Sequence, residues 1–92
     1  MTITLKYLAQ LRHVAGVGSE PVELAKPCSV KELIQRVAQR RGEPLRRWLI
    51  NEAGTLQPTI LLFLGDVQVT GQEDVELNDG DVITLLSPIA GG

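Results

Sequence analysis

The sequence has 92 residues, a formal net charge of −2 and a single cysteine, which suits one domain with one core and leaves little room for a deep internal cleft. The slight acidity argues against nucleic acid as the main partner, since a phosphate-binding surface needs a clear basic excess, and one cysteine excludes an internal disulfide or a cysteine zinc cluster. Met1 is followed by alternating residues rather than a basic region and an apolar run, and no stretch approaches the roughly 18 apolar residues of a membrane span; a cytosolic chain with no membrane contact is expected.

Thr2 to Leu8 alternates, with Ile3, Leu5 and Tyr7 on one face and Thr2, Thr4 and Lys6 on the other, the period of a half-buried strand. Ala9 to Ala15 carries Leu11, Val14 and Ala15 at helical spacing; Gly16 to Ser19 then reads as a turn and Pro21 to Leu24 as a returning strand. Ser29-Val30-Lys31-Glu32 has the form of a capping box. Behind it Val30, Leu33, Ile34, Val37 and Ala38 make one apolar stripe, with Arg40 and Arg41 in the last turn and Gly42 placed to end the helix in the left-handed conformation.

Pro44 opens a short helical turn with Leu45, Trp48 and Leu49 inward, and Asn51 to Gln57 is irregular. Ile60 to Leu64 is a continuous apolar run, as expected of a central strand at least partly covered on both faces. Gly65-Asp66 turns the chain into Val67-Gln68-Val69. Asn78-Asp79-Gly80-Asp81 is a further turn, Val82 to Leu86 the last strand. The expected fold is α+β, a mixed sheet of about five strands with one main helix across one face. If the first and last strands lie side by side in the middle, the order is that of a ubiquitin-like β-grasp. Residues 1–88 would form that domain and residues 89–92 a tail ending in Gly-Gly.

Gly91-Gly92 carries the chemistry. Glycine has no Cβ, so a diglycine tail threads a channel that any side chain would block, and it leaves the carboxylate unhindered. A carboxylate becomes an acyl donor only after its oxygen is made a leaving group, and the enzyme that does this must be a partner. A diglycine end is also what an idle, glycine-tolerant terminus looks like; its place directly after a strand favours delivery into another protein. Cys28 reads as a small buried hydrophobe and His13 as a surface residue. Arg36, Arg40, Arg41, Arg46 and Arg47 form a basic cluster, and Glu73, Asp74, Glu76, Asp79 and Asp81 an acidic run whose glycine favours a hairpin over a calcium loop. No phosphate-binding, serine-hydrolase or zinc-protease motif is present, so no independent active site, bound cofactor or metal is expected.

The segments LKYLAQLRHVAG, SVKELI and NDGDVITLLSPIAGG, with the diglycine at the last residue, resemble the MoaD/ThiS group of ubiquitin-like sulfur carriers, most closely the small subunit of molybdopterin synthase, over nearly the whole chain. The resemblance implies a β-grasp fold and a cycle. An E1-like enzyme, using ATP and magnesium, adenylates Gly92; a sulfur donor converts it to a thiocarboxylate. Gly91 threads the tail into an acceptor enzyme, such as the large synthase subunit, in molybdenum cofactor biosynthesis. The docking surface it implies is Leu8 and Leu86 with the Val67 to Val69 strand beside them, flanked by Pro88 and Ile89 of the tail, and Arg12 in support. The sequence departs from the group's common pattern in having leucines where Leu8 and Leu86 stand in place of aromatics, Gly65-Asp66 for Asn-Gly, Ser87-Pro88 for Pro-Pro, and a longer stretch from Arg46 to Pro58. Carriers serving cysteine, thiamine or tRNA thiolation, a modifier joined to lysines, and an adaptor with an incidental tail remain open alternatives.

Overall fold

A computed structural model describes residues 1–70 and 75–87. In chain order the elements are β1 (Thr2–Ala9), α1 (Gln10–Ala15), β2 (Ser19–Glu23), α2 (Val30–Arg41), α3 (Leu45–Leu49), β3 (Leu61–Leu64), β4 (Val67–Val69) and β5 (Val82–Ser87). The sheet order is β2-β1-β5-β3-β4, with β1 and β5 parallel and the other pairs antiparallel. First and last strands therefore meet in the middle, as a β-grasp requires.

Alternation decides which way each strand faces. Ile3, Leu5 and Tyr7 of β1, Leu62 of β3, and Ile83 and Leu85 of β5 are buried under α2. That helix contributes Val30, Leu33, Ile34, Val37 and Ala38. Leu45 and Leu49 of α3 close one end of the same core, and Trp48 only packs against its edge. Each fully buried aliphatic side chain contributes about 1.5–3 kcal/mol of transfer free energy. Ile60 to Leu64 differs from expectation in part: the strand starts at Leu61, Leu62 is buried, and Leu61 and Phe63 on the far face stay half-exposed. No described helix is long and apolar enough to cross a membrane.

The boundaries of α2 have identifiable causes. Glu32 N donates to Ser29 Oγ at 3.2 Å and Ser29 N to Glu32 Oε1 at 3.4 Å, closing the capping box. At the other end Gly42 adopts φ 67°, ψ −161°, so it is not the left-handed cap expected; it sits in a region effectively open to glycine alone. The turn before β5 is tied down by Asp81 Oδ2, which accepts Asn78 N at 2.7 Å, and by Asp79 Oδ1, which accepts Thr2 N at 2.8 Å. Both carboxylates bond backbone N–H groups here, but the turn does not close a hairpin as expected, because β5 pairs with β1 and β3 rather than with the segment before it; Glu73 and Asp74 lie outside the described residues.

Below the C-terminal end of α2, Glu20 of β2 gathers three partners. It accepts from Tyr7 Oη at 2.7 Å and from Arg40 at 2.6 Å, and lies 3.5 Å from Arg41. Arg41 also donates to the Ala15 carbonyl at the end of α1. Arg46 and Arg47 pair with Glu43 at 3.5 and 3.3 Å. Four of the five arginines in the basic cluster thus face carboxylates of their own chain.

Two outcomes test these contacts. Nothing lies within 4 Å of a Cβ built on Gly42, so Gly42→Ala is expected to cost about 1–3 kcal/mol from backbone strain alone, read from the urea midpoint. Burial, and then the bond to Glu20, push the Tyr7 phenol above its ordinary 10.0. The folded chain keeps that proton where the unfolded chain has lost it, so this stabilisation is whole below pH 10 and is lost above it by up to about 1.4 kcal/mol per pH unit. Tyr7 is the only tyrosine, so alkaline unfolding followed by tyrosinate absorbance, with Tyr7→Phe giving the shallower loss of stability, checks the sign.

Candidate functional site

The candidate site has two parts: the C-terminal segment ending in Gly91-Gly92, and the sheet surface beside the end of β5. Pro88, Ile89, Gly91 and Gly92 lie outside the described residues. The point of departure is described: Ser87, buried, pairs with Ala9 at the end of the central parallel ladder. Gly92 is five residues beyond Ser87 in the sequence, a contour of at most about 18 Å.

The sheet face opposite α2 carries the surface at that same end. The register sets Leu8 beside Leu86 and Leu86 beside Leu61, so three leucines form one row across β1, β5 and β3. Leu8 is 43% exposed, and Leu86 and Leu61 are half-buried. The next row runs Ser19, Lys6, Thr84, Phe63, Gln68 across all five strands. Phe63 adds apolar area beside the leucines. Neighbouring strands are about 4.8 Å apart, so the leucine row is roughly 10 Å wide and sits at the C-terminal end of β5.

Val67 and Val69 do not belong to this surface. They pair with Leu64 and Leu62, which puts them on the α2 side of the sheet; Val67 is exposed at the edge and Val69 packs against the core. The residue of β4 that shares the Leu8–Leu86 face is Gln68, and the apolar neighbours missed in the sequence are Leu61 and Phe63. The missing signal was parity. A continuous run such as 60–64 shows no alternation, and only its register against β5 says which members face outward.

The remaining candidates are structural. Arg12 lies over Gly18, where an added Cβ would stand 3.3 Å from its Nε, and so packs the α1–β2 connection. Cys28 is buried, and burial pushes its thiol above the ordinary range, away from nucleophilic use. His13 is exposed. Among the described residues no group of histidine, cysteine or carboxylate side chains is arranged to hold a metal, and no buried side-chain polar atom lacks a partner. A groove of about 520 Å³ between residues 51–58 and the β3–β4 hairpin is lined partly by Leu61 and Gln68, but Asn51 and Gln57 in it spend their amides on local backbone and on Thr55. The leucine row is an apolar surface beside the C-terminal end of β5.

The face assignment predicts unequal costs along two neighbouring positions. Leu62→Ala is expected to destabilise by about 2–5 kcal/mol as a core truncation, Leu61→Ala by about 1 kcal/mol or less, both measured by urea unfolding.

The family model described as ThiS family matches residues 5–92. The chain is 25% identical over 92 residues, 100% of both chains, to the molybdopterin synthase sulfur carrier subunit of Chlamydomonas reinhardtii. It is similar in fold to the crystal structure of SAMP1 from Haloferax volcanii, with a TM-score of 0.83 and 20% identity over 100% of both chains. It is also similar to a chain of the Amycolatopsis orientalis BexX/CysO complex, with a TM-score of 0.68 and 33% identity over 98% of this chain and 99% of that one.

Proposed function

The chain belongs to the ThiS family, and from that premise we propose that it is a sulfur carrier, delivering sulfur on the carboxylate of Gly92 to an acceptor enzyme. The observation that carries the reading is Gly91-Gly92 following a strand whose end, Ser87, is held beside the leucine row. A tail of about 18 Å reaches a partner's interior while the domain stays docked outside.

The steps balance without a catalytic residue from this chain. Bound in an E1-like enzyme with ATP and magnesium, a Gly92 carboxylate oxygen attacks the α-phosphorus. The bond to the bridging oxygen breaks, and pyrophosphate leaves. Hydrosulfide supplied by the donor then adds to the carbonyl carbon of the acyl adenylate, the acyl–oxygen bond breaks, AMP leaves, and loss of the S–H proton to solvent leaves a thiocarboxylate. A side chain at 91 or 92 would crowd both additions and the channel leading to them.

The relative from Chlamydomonas reinhardtii is by name a molybdopterin synthase sulfur carrier subunit. It supports the pterin-forming acceptor, a large synthase subunit, as the destination. Likeness to a chain of the BexX/CysO complex supports a carrier that works against a second protein. The docking surface in this reading is Leu8, Leu86 and Leu61 with Phe63, rather than Leu8 and Leu86 with Val67 and Val69.

Co-expression with the activating enzyme and sulfur donor of its own organism, followed by intact mass measurement, tests the reading. The expected result is exchange of one oxygen for sulfur at the C-terminus, lost on deleting Gly92; a chain that never acquires adenylate or sulfur defeats it, and a diglycine remnant on lysines of other proteins would assign it to protein modification instead. Leu8→Ala and Leu86→Ala are each expected to weaken binding to the activating enzyme by about tenfold, with Val67→Ala unchanged.

A further inference from the structure

Lys6 stands out on the sheet face that the carrier presents. It is exposed, and it sits in the row immediately behind Leu8, Leu86 and Leu61, between Ser19 and Thr84. The described ion pairs are made by Arg40, Arg41, Arg46 and Arg47 with Glu20 and Glu43; Lys6 takes part in none of them. The other charged strand residue on its face is Glu23, opposite Thr2 and bonded to Thr2 Oγ1 at 2.7 Å. Four residues of strand put that carboxylate row about 14 Å away, beyond the roughly 8 Å over which exposed charges interact at physiological salt.

A protein that covers the leucine row also covers the row behind it, since the two are one pleat apart. Water around the Lys6 ammonium is then displaced, and a buried unpaired cation is strongly unfavourable. No other described charged strand residue of this face lies within range. We propose that Lys6 is a specificity determinant of the docking surface, selecting partners that place an aspartate or glutamate carboxylate inside an otherwise apolar patch. The inference rests on the carrier function above and adds the chemistry of the surface that function requires. An ammonium on a flexible stem suits this role, because it follows a carboxylate through small changes of docking angle, whereas a guanidinium asks for a planar fork. Partners with uncharged apolar patches are rejected by the cost of stripping Lys6, which is selection by penalty as much as by attraction.

The test is equilibrium binding of the full-length chain to the activating enzyme of its own organism, with wild type, Lys6→Met, Lys6→Glu and Leu8→Ala compared at low and high salt. Thermal melts first establish that each variant is folded. Lys6→Met is expected to weaken binding about tenfold and Lys6→Glu about a hundredfold or more. The salt dependence of the wild type should shrink in Lys6→Met. A Lys6→Met chain that binds as tightly as wild type with the same salt response overturns the inference, as does one that binds more tightly. If wild type acquires sulfur and Lys6→Met binds normally, the inference falls alone; if wild type is never activated, the carrier reading falls and takes the inference with it.

Discussion

Strands from opposite ends of the sequence meet at the centre of the sheet, Thr4 beside Val82 and Ala9 beside Ser87, and this parallel ladder determines most of the remaining architecture. It forces the intervening chain into a crossover, which α2 supplies over one face. It aligns Ile3, Leu5 and Tyr7 with Ile83 and Leu85 on that face and Leu8 with Leu86 on the other. It also fixes the end at which the chain leaves the sheet. The ladder joins residues nearly the whole chain apart, so its loop-closure entropy must be overcome before its contacts stabilise anything. Local elements with good caps, α2 foremost, lower the remaining cost.

How much of this was legible in the sequence depended on whether the relevant signal was local. The capping box, the stripe from Val30 to Ala38 and the stop at Gly42 are all read locally, and α2 runs Val30–Arg41 between the Ser29 and Gly42 caps. The β1 alternation likewise gave Ile3, Leu5 and Tyr7 as core. Gly42 was legible as a stop but not in its conformation, φ 67°, ψ −161°. Val67 and Val69 were placed on the wrong face because parity belongs to the pairing, not to the strand. An edge strand of three residues shows alternation without saying which phase is inward, and the tail's position could tell no more. The Glu20 cluster was invisible for a related reason: Tyr7, Glu20, Arg40 and Arg41 come from three elements, and arginines at a helix end look alike whether solvated or paired.

The same cluster shows where most of the basic cluster finds partners within the chain. Glu20 draws Arg40 and Arg41 down onto β2, and Glu43 holds Arg46 and Arg47. These pairs are mostly solvent-facing, and each contributes little stability by itself. What they do is occupy the cations. Arg40, Arg41, Arg46 and Arg47 thus lie beside carboxylates of their own chain, while the opposite sheet face carries the row of leucines.

The parallel arrangement also has a mechanical consequence. Ser87 is the C-terminal end of β5. Force on that end is directed along the strand, and β1 runs in the same direction beside it. The ladder from Thr4–Val82 to Ala9–Ser87 is therefore loaded in shear, with its hydrogen bonds sharing the tension together rather than opening one after another as a zipper does. A pull on the C-terminal end of β5 thus loads the β1–β5 seam along the strands, the direction in which its hydrogen bonds resist together.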